Sequence, residues 1–322
     1  MKKTTDIRSL ALKTFSMEAE AINDLATQLD DRFEKAITEL VNTKGRIVIC
    51  GIGKSAIIAQ KIVATLNSTG SPSIFLHAAD AIHGDLGIVQ QDDIVIIVSK
   101  SGESPEIKVI VPLIKNFGNI VIAMVGNIDS FLAKKADYIL DTTVKQEACP
   151  NNLAPTTSTT AQLVMGDAIA VCLMEQRGFQ ISDFAKLHPG GTLGKKLYLR
   201  VGDLCSENER PAVSPEQSVK EVIMEMTRKR LGVTAVINSA ENLVGIITDG
   251  DLRRMLEKSD SIQNIQAKDI MTMHPKIITA GEMAVNALDI MRKNEIMQLM
   301  VVDGEKYLGV IHLHDLVKEG LI

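Results

Sequence analysis

Between residues 46 and 141 the sequence repeats one pattern five times: a short aliphatic run, then a longer helical stretch. The runs occupy 46–50, 73–77, 94–99, 120–125 and 138–141. They are apolar without alternation, so both faces of each strand need cover, and crossover helices on a parallel sheet supply it. The pattern predicts an α/β fold with a doubly wound, five-stranded parallel sheet. Its ligand should lie beyond the C-terminal strand ends. Residues 1–43 read as helix, with apolar positions at Leu10, Phe15, Ala19, Ile22, Leu25 and Leu29. A further long helix runs from about Ser158 to Arg177 and is stopped by Gly178.

The second half of the chain repeats itself. Asp203-Leu204 matches Asp269-Ile270, and Ser218-Val219-Lys220-Glu221 matches Ala284-Val285-Asn286-Ala287, both at an offset of 66. Val244-Gly245-Ile246-Ile247 matches Leu308-Gly309-Val310-Ile311, and Asp251-Leu252 matches Asp315-Leu316, at an offset of 64. Two residues are lost in the connecting turn. Each copy reads as helix, two strands and helix, too small to bury much core alone, so the pair is expected to form one α/β domain. The expected divisions are an N-terminal helical segment over 1–35, the sheet domain over 36–195, and repeats over 203–264 and 269–322.

Several classes are excluded at this level. With 35 Lys+Arg against 40 Asp+Glu, the formal net charge is -5, unlike a nucleic-acid binder with a basic face. The aliphatic runs are strand-sized, short of the roughly 18 residues of a membrane helix, so no membrane association is expected. The N-terminal residues show no apolar stretch of a secretory signal. Cys50, Cys149, Cys172 and Cys205 are widely spaced, with no CxxC pair, which fits a reduced cytoplasmic protein without structural zinc.

Three loops carry the candidate chemistry. The first run ends in Gly51-Ile52-Gly53-Lys54-Ser55, where glycine and helix N-terminal amides suit an anion. Val48 stands where a P-loop needs its first glycine, and His77 where a dinucleotide fold needs an acid. A tight strand–helix turn without ligand is the remaining alternative. The third run ends in Ser99-Lys100-Ser101-Gly102-Glu103-Ser104-Pro105-Glu106, either a second anion cradle or a well-capped helix. The third loop, Glu147 to Thr160, is rich in hydroxyls, including Thr156, Ser158 and Thr159. Two glycine- and hydroxyl-bearing strand ends in succession suit a small phosphorylated ligand better than a long dinucleotide.

These stretches, with Ala81-Ile82-His83-Gly84-Asp85-Leu86-Gly87, Leu163 to Ala168 and His188-Pro189-Gly190-Gly191, resemble the sugar isomerase (SIS) phosphosugar-binding domains. More closely, they resemble the bacterial arabinose-5-phosphate isomerases. The repeats, with Thr248-Asp249-Gly250-Asp251 and His312-Leu313-His314-Asp315, resemble paired cystathionine-β-synthase (CBS) modules. The resemblance spans nearly the whole chain and keeps the family's domain order. Lys100 departs from it, standing where these enzymes often carry Asn, a change that bears on phosphate affinity.

The resemblance implies interconversion of D-ribulose 5-phosphate and D-arabinose 5-phosphate, supplying 3-deoxy-D-manno-octulosonate (Kdo) for lipopolysaccharide or capsule. It implies catalytic roles for Lys54, Glu106, Glu147 and His188. Enediol chemistry asks for a base, a hydroxyl-proton carrier and a charge stabiliser. Glu147 is expected to carry the carbon-bound proton, with Glu106 as alternative base or as partner of Lys54. His188 is expected to open the ring or protonate oxygen, in its own or a neighbouring subunit's site, and Lys54 to meet phosphate or enediolate. Gly53, Ser55, His83, Ser99, Ser101, Gly102, Ser104, Thr156, Ser158 and Thr159 are expected to hold the substrate. No cofactor is expected to be required; the family implies an inhibitory zinc at His83. It also implies a homo-oligomer, a tetramer, and a nucleotide in the CBS cleft near Thr248, Asp249, Asp251, His312, His314 and Asp315. CMP-Kdo is the expected regulator, an adenine nucleotide the second choice. A non-catalytic phosphosugar or nucleotide sensor is the competing function.

Overall fold

The computed structural model describes residues 6–258 and 262–322. The first five residues of the expected N-terminal helix, and 259–261 of the first repeat, lie outside them. The chain divides after Leu187 into two compact units.

The first unit is built on strands β1 (Ile47–Gly51), β2 (Ser73–His77), β3 (Ile94–Ser99), β4 (Ile120–Val125) and β5 (Tyr138–Asp141), all parallel, in the order 2-1-3-4-5. The five expected runs coincide with these strands to within a residue. Side chains alternate between two cores. Ile47, Ile49, Ile94, Ile96, Val98, Ile122 and Met124 enter one. Val48, Cys50, Val95, Ile97, Val121, Ala123 and Val125 enter the other.

The helices α1 (Ile7–Gln28), α2 (Asp31–Asn42), α3 (Lys54–Ser68) and α7 (Thr157–Gln176) cover the first face. The short α4 (Ala78–Ala81), α5 (Pro105–Asn116) and α6 (Phe131–Lys135) cover the second, and α8 (Ile181–Leu187) ends the unit. Two helices thus replace the single N-terminal one expected: Asp30 caps α2 by accepting from the Arg32 amide. By length and composition α7 could cross a bilayer, which the strand-sized runs did not suggest. Its Ala161, Met165, Ile169 and Leu173 are instead buried in the first core.

The second unit begins with α9 (Thr192–Tyr198) and α10 (Val201–Cys205). One copy then contributes β6 (Ala212–Val213), α11 (Val219–Lys229), β7 (Val233–Ile237), β8 (Leu243–Thr248) and α12 (Asp249–Lys258). The other contributes α13 (Ala267–Ile270), β9 (Thr272–Met273), β10 (Ile277–Thr279), α14 (Ala284–Asn294), β11 (Gln298–Asp303), β12 (Lys306–His312) and α15 (Leu313–Lys318). Two sheets form, β6-β7-β8-β9 and β10-β11-β12.

The structure corrects the repeat register. Ser218 and Met283 are the equivalent N-caps, and Arg230 and Glu295 are the equivalent left-handed C-caps. The helices therefore correspond at an offset of 65, so Ser218 matches Met283 and not Ala284. One residue is lost before this helix and one in the hairpin after it.

The copies also exchange their leading helices. Val201, Leu204 and Cys205 of α10 pack with Leu299, Ile311 and Leu316. Ala267 and Ile270 of α13 pack with Val222, Val236 and Ile247.

The α3–α7 seam depends on Gly166. A Cβ there would collide with Ile62, which is fully buried and has no room to retreat. Gly166→Val is expected to lower unfolding free energy by about 1–3 kcal/mol through overpacking, read from denaturant unfolding monitored by circular dichroism.

Candidate active site

Strand order fixes where the site lies. β1 and β3 are neighbours, but the helices that follow them leave toward opposite faces: α3 packs in one core and α5 in the other. Their loops therefore part at the C-terminal edge and open a crevice. Gly53, the N-cap of α3, has φ 59°, a conformation glycine adopts without strain. Across from it, Ser104 caps α5, with Pro105 in the first turn.

The β3 loop is held by its own polar groups. The Ser99 hydroxyl accepts from the Gly102 amide at 3.0 Å, and the Ser101 hydroxyl accepts from the Glu103 amide at 3.3 Å. Gly102 has φ 66°, and a Cβ there would meet the Ser130 side chain. The Ser104 hydroxyl is buried and has no hydrogen-bond partner among the described residues. An unmet hydroxyl at the start of a helix is suited to an external oxyanion.

Glu147 occupies the loop before α7 and is only 2% exposed. Its Oε2 accepts from the amides of Thr156 (2.8 Å) and Ser158 (3.1 Å) and from the Thr156 hydroxyl (3.3 Å). Its Oε1 accepts from the Ser158 hydroxyl at 2.5 Å and pairs with Lys100 Nζ at 2.6 Å. Burial pushes the carboxyl's pKa up, but the Lys100 ammonium, the Ser158 hydroxyl and the two amides outweigh it and bring it down to about 2. An anion held this firmly is a weak proton acceptor, which weighs against the base role expected for Glu147. Thr156 and Ser158, expected to hold substrate, are occupied with this carboxylate. Thr159 returns its hydroxyl to the Thr156 carbonyl.

The remaining expected residues separate. Lys54 opens α3 and is exposed; Glu106, in the first turn of α5, is half-buried. Neither makes an ion pair among the described residues. Ser55 donates to Gln162 Oε1 at 3.2 Å, a buried partner on α7 that the sequence did not indicate. His83 is exposed in the turn after α4. Among the described residues no three of His, Cys, Asp and Glu are arranged to hold a metal ion. His83 lacks the companions zinc requires, so the residues do not fit the expected zinc site. His188 is the first residue of the second unit.

In the repeats, Asp251 is buried and accepts from the Thr248 amide (2.8 Å) and hydroxyl (2.6 Å), from Arg254 and from the Thr272 hydroxyl. Asp315 accepts from the His312 amide at 2.7 Å, and His312 Nδ1 accepts from the His314 amide at 2.9 Å. Asp251 and Asp315 thus perform the same capping task in the two copies. Asp249 lies in the first turn of α12.

A doubly wound sheet with hydroxyl-bearing loops at its switch point, followed by a paired-repeat module, is the architecture of a SIS-domain protein with a CBS pair. The SIS domain model matches residues 39–172, and the CBS domain model matches 201–258 and 267–321. Arabinose 5-phosphate isomerase KdsD of Pseudomonas aeruginosa is 45% identical over 324 residues, covering 100% of this chain and 99% of the relative. KdsD of Escherichia coli K12 is 42% identical over 318 residues, 98% of this chain and 97% of the relative. Among solved structures, an E. coli CFT073 protein in complex with arabinose 5-phosphate is 40% identical with a TM-score of 0.56, covering 59% of this chain and 100% of that one. This chain belongs to the arabinose 5-phosphate isomerase family.

Because the folded pKa of Glu147 lies below its ordinary value of 4.5, its contribution is complete above 4.5 and is lost as pH falls toward about 2. Glu147→Gln should reduce stability at neutral pH by on the order of 3 kcal/mol, with the difference from the parent shrinking below pH 4. Denaturant unfolding at a series of pH values checks this; a pH-independent difference would deny the linkage.

Proposed function

We propose that this chain interconverts D-ribulose 5-phosphate and D-arabinose 5-phosphate through an enediol, by moving a proton between C1 and C2. The observation that carries the reading is that β1 and β3 are neighbours, so the two polar loops after them lie at the same sheet edge. These loops carry an unpartnered Ser104 hydroxyl and two ionisable groups, Lys54 and Glu106, that no described residue engages. Family membership at 45% identity over the whole chain supports the choice of substrate.

In this reading the Ser101 and Ser104 hydroxyls and the first amides of α5 hold the phosphate, where the helix dipole favours negative charge. Glu106 carries the proton between the carbons, since it is the carboxylate left unpaired. Lys54 stabilises the enediolate oxygen. Glu147 is a fixed anion that shapes the loop and engages Lys100. His188 keeps the expected assignment to ring opening, a task imidazole suits near neutral pH.

The product supplies Kdo synthesis in the cytoplasm, and the active form is a homotetramer. The CBS pair is read as the regulatory module, responding to CMP-Kdo first and an adenine nucleotide second. Asp251 is already engaged by four donors, so a ribose there would compete with Arg254 and Thr272.

Incubation with ribulose 5-phosphate, with product identification and with or without EDTA, tests the reading. Arabinose 5-phosphate is the expected product, in both conditions. Glu106→Gln should lower kcat by at least about 100-fold with the fold intact, the lower range for a positioned acid–base group. Failure of the parent to convert any pentose or hexose phosphate would favour the sensor instead.

A further inference from the structure

Lys100 stands in two arrangements at once. Its backbone belongs to the cradle, between Ser99 and Ser101, and is pinned there because the Gly126 amide donates to the Lys100 carbonyl at 3.1 Å. Its ammonium reaches out of the cradle to Glu147 Oε1 at 2.6 Å. The two partners differ in freedom. The Glu147 side chain has no exposed surface, whereas the Lys100 side chain is 44% exposed on a flexible four-carbon stem. Glu147 would also keep its four other hydrogen bonds if the ammonium left.

We propose that Lys100 is a cation shared between Glu147 and the phosphate of the ligand, so that the two anions compete for one ammonium. The inference rests on the reading of the β3 loop as a phosphate cradle and goes beyond it, by assigning a phosphate-binding cation that the hydroxyl pattern alone does not. A phosphate held by Ser101 and Ser104 lies within a lysine's reach of residue 100, and a dianion attracts the ammonium more strongly than one carboxylate. As the ammonium transfers, Glu147 loses its largest charged support, and its proton affinity rises. Two other ionisable groups share its loop: Lys145, whose ammonium is engaged by Glu20 and Asp24, and Cys149, which carries no positive charge. Phosphate binding is thereby coupled to the charge state of a buried carboxylate.

The test is a double-mutant cycle on phosphate affinity, with inorganic phosphate titrated into the intact chain by calorimetry. Lys100→Asn should weaken binding by about tenfold, the scale of one charge-assisted contact at a half-exposed site. Glu147→Gln should tighten it several-fold, because the competitor for the ammonium is gone. In the Lys100→Asn background, Glu147→Gln should have no such effect, while Lys100→Arg should bind close to the parent. A tightening that persists without Lys100 would mean simple removal of negative charge, and would overturn the proposal. Loss of affinity in Glu147→Gln, or no phosphate binding by the parent, would overturn it as well. Thermal unfolding of each variant separates a changed site from a changed fold. The isomerase assay is read independently: a parent that turns over ribulose 5-phosphate but shows an additive cycle refutes the shared cation alone.

Discussion

Burial on both sides of β1, β3 and β4 is the constraint from which the first unit follows. Their aliphatic side chains alternate between two cores and leave no face for water. Helices must then lie on both sides, and a chain that covers both faces must reverse its winding somewhere. It does so between β1 and β3. The crevice is thus a by-product of the burial requirement, and the polar loops at its edge are the part of the unit released from that requirement.

Glu147 shows the opposite economy. A buried carboxylate without partners would be costly, but here the amides of Thr156 and Ser158 at the start of α7, two hydroxyls and an ammonium converge on it. Its negative charge meets the positive end of a helix of 20 residues. The loop that delivers it is folded back on itself, with the Glu147 amide donating to Asn152 Oδ1 and the Ala148 amide donating to the Thr156 and Thr157 hydroxyls. The hydroxyls that read as substrate contacts are largely taken up by this internal work.

How much of this was written in the sequence depends on the range over which each interaction acts. The strands were legible because unbroken aliphatic runs of five or six residues leave few alternatives, and Ser104-Pro105 declares a helix start locally. The register of the repeats slipped by one because the equivalent caps use different chemistry: Ser218 forms a capping box with Glu221, whereas Met283 makes no side-chain cap. Matching the valines Val219 and Val285 hid that difference. Lys100 was visible as the odd residue between two serines, but its partner comes from the loop after β5, with β4 between the two strands in the sheet. Only the folded course of that loop toward α7 brings them together. Glu106 and Lys54 were legible as candidates by position, while the distinction between them and the engaged Glu147 is a property of the folded loop.

The exchanged helices of the second unit carry a consequence for its assembly. α10 leaves the ribosome well before β11 and β12, whose residues complete the core around it. The first copy in turn waits for α13, at the head of the second. Neither copy closes its core from its own residues alone, so each depends on the other for its stability. During synthesis the first copy stands with an unfilled apolar socket until its neighbour's leading helix arrives, an interval in which a foreign helix could occupy it.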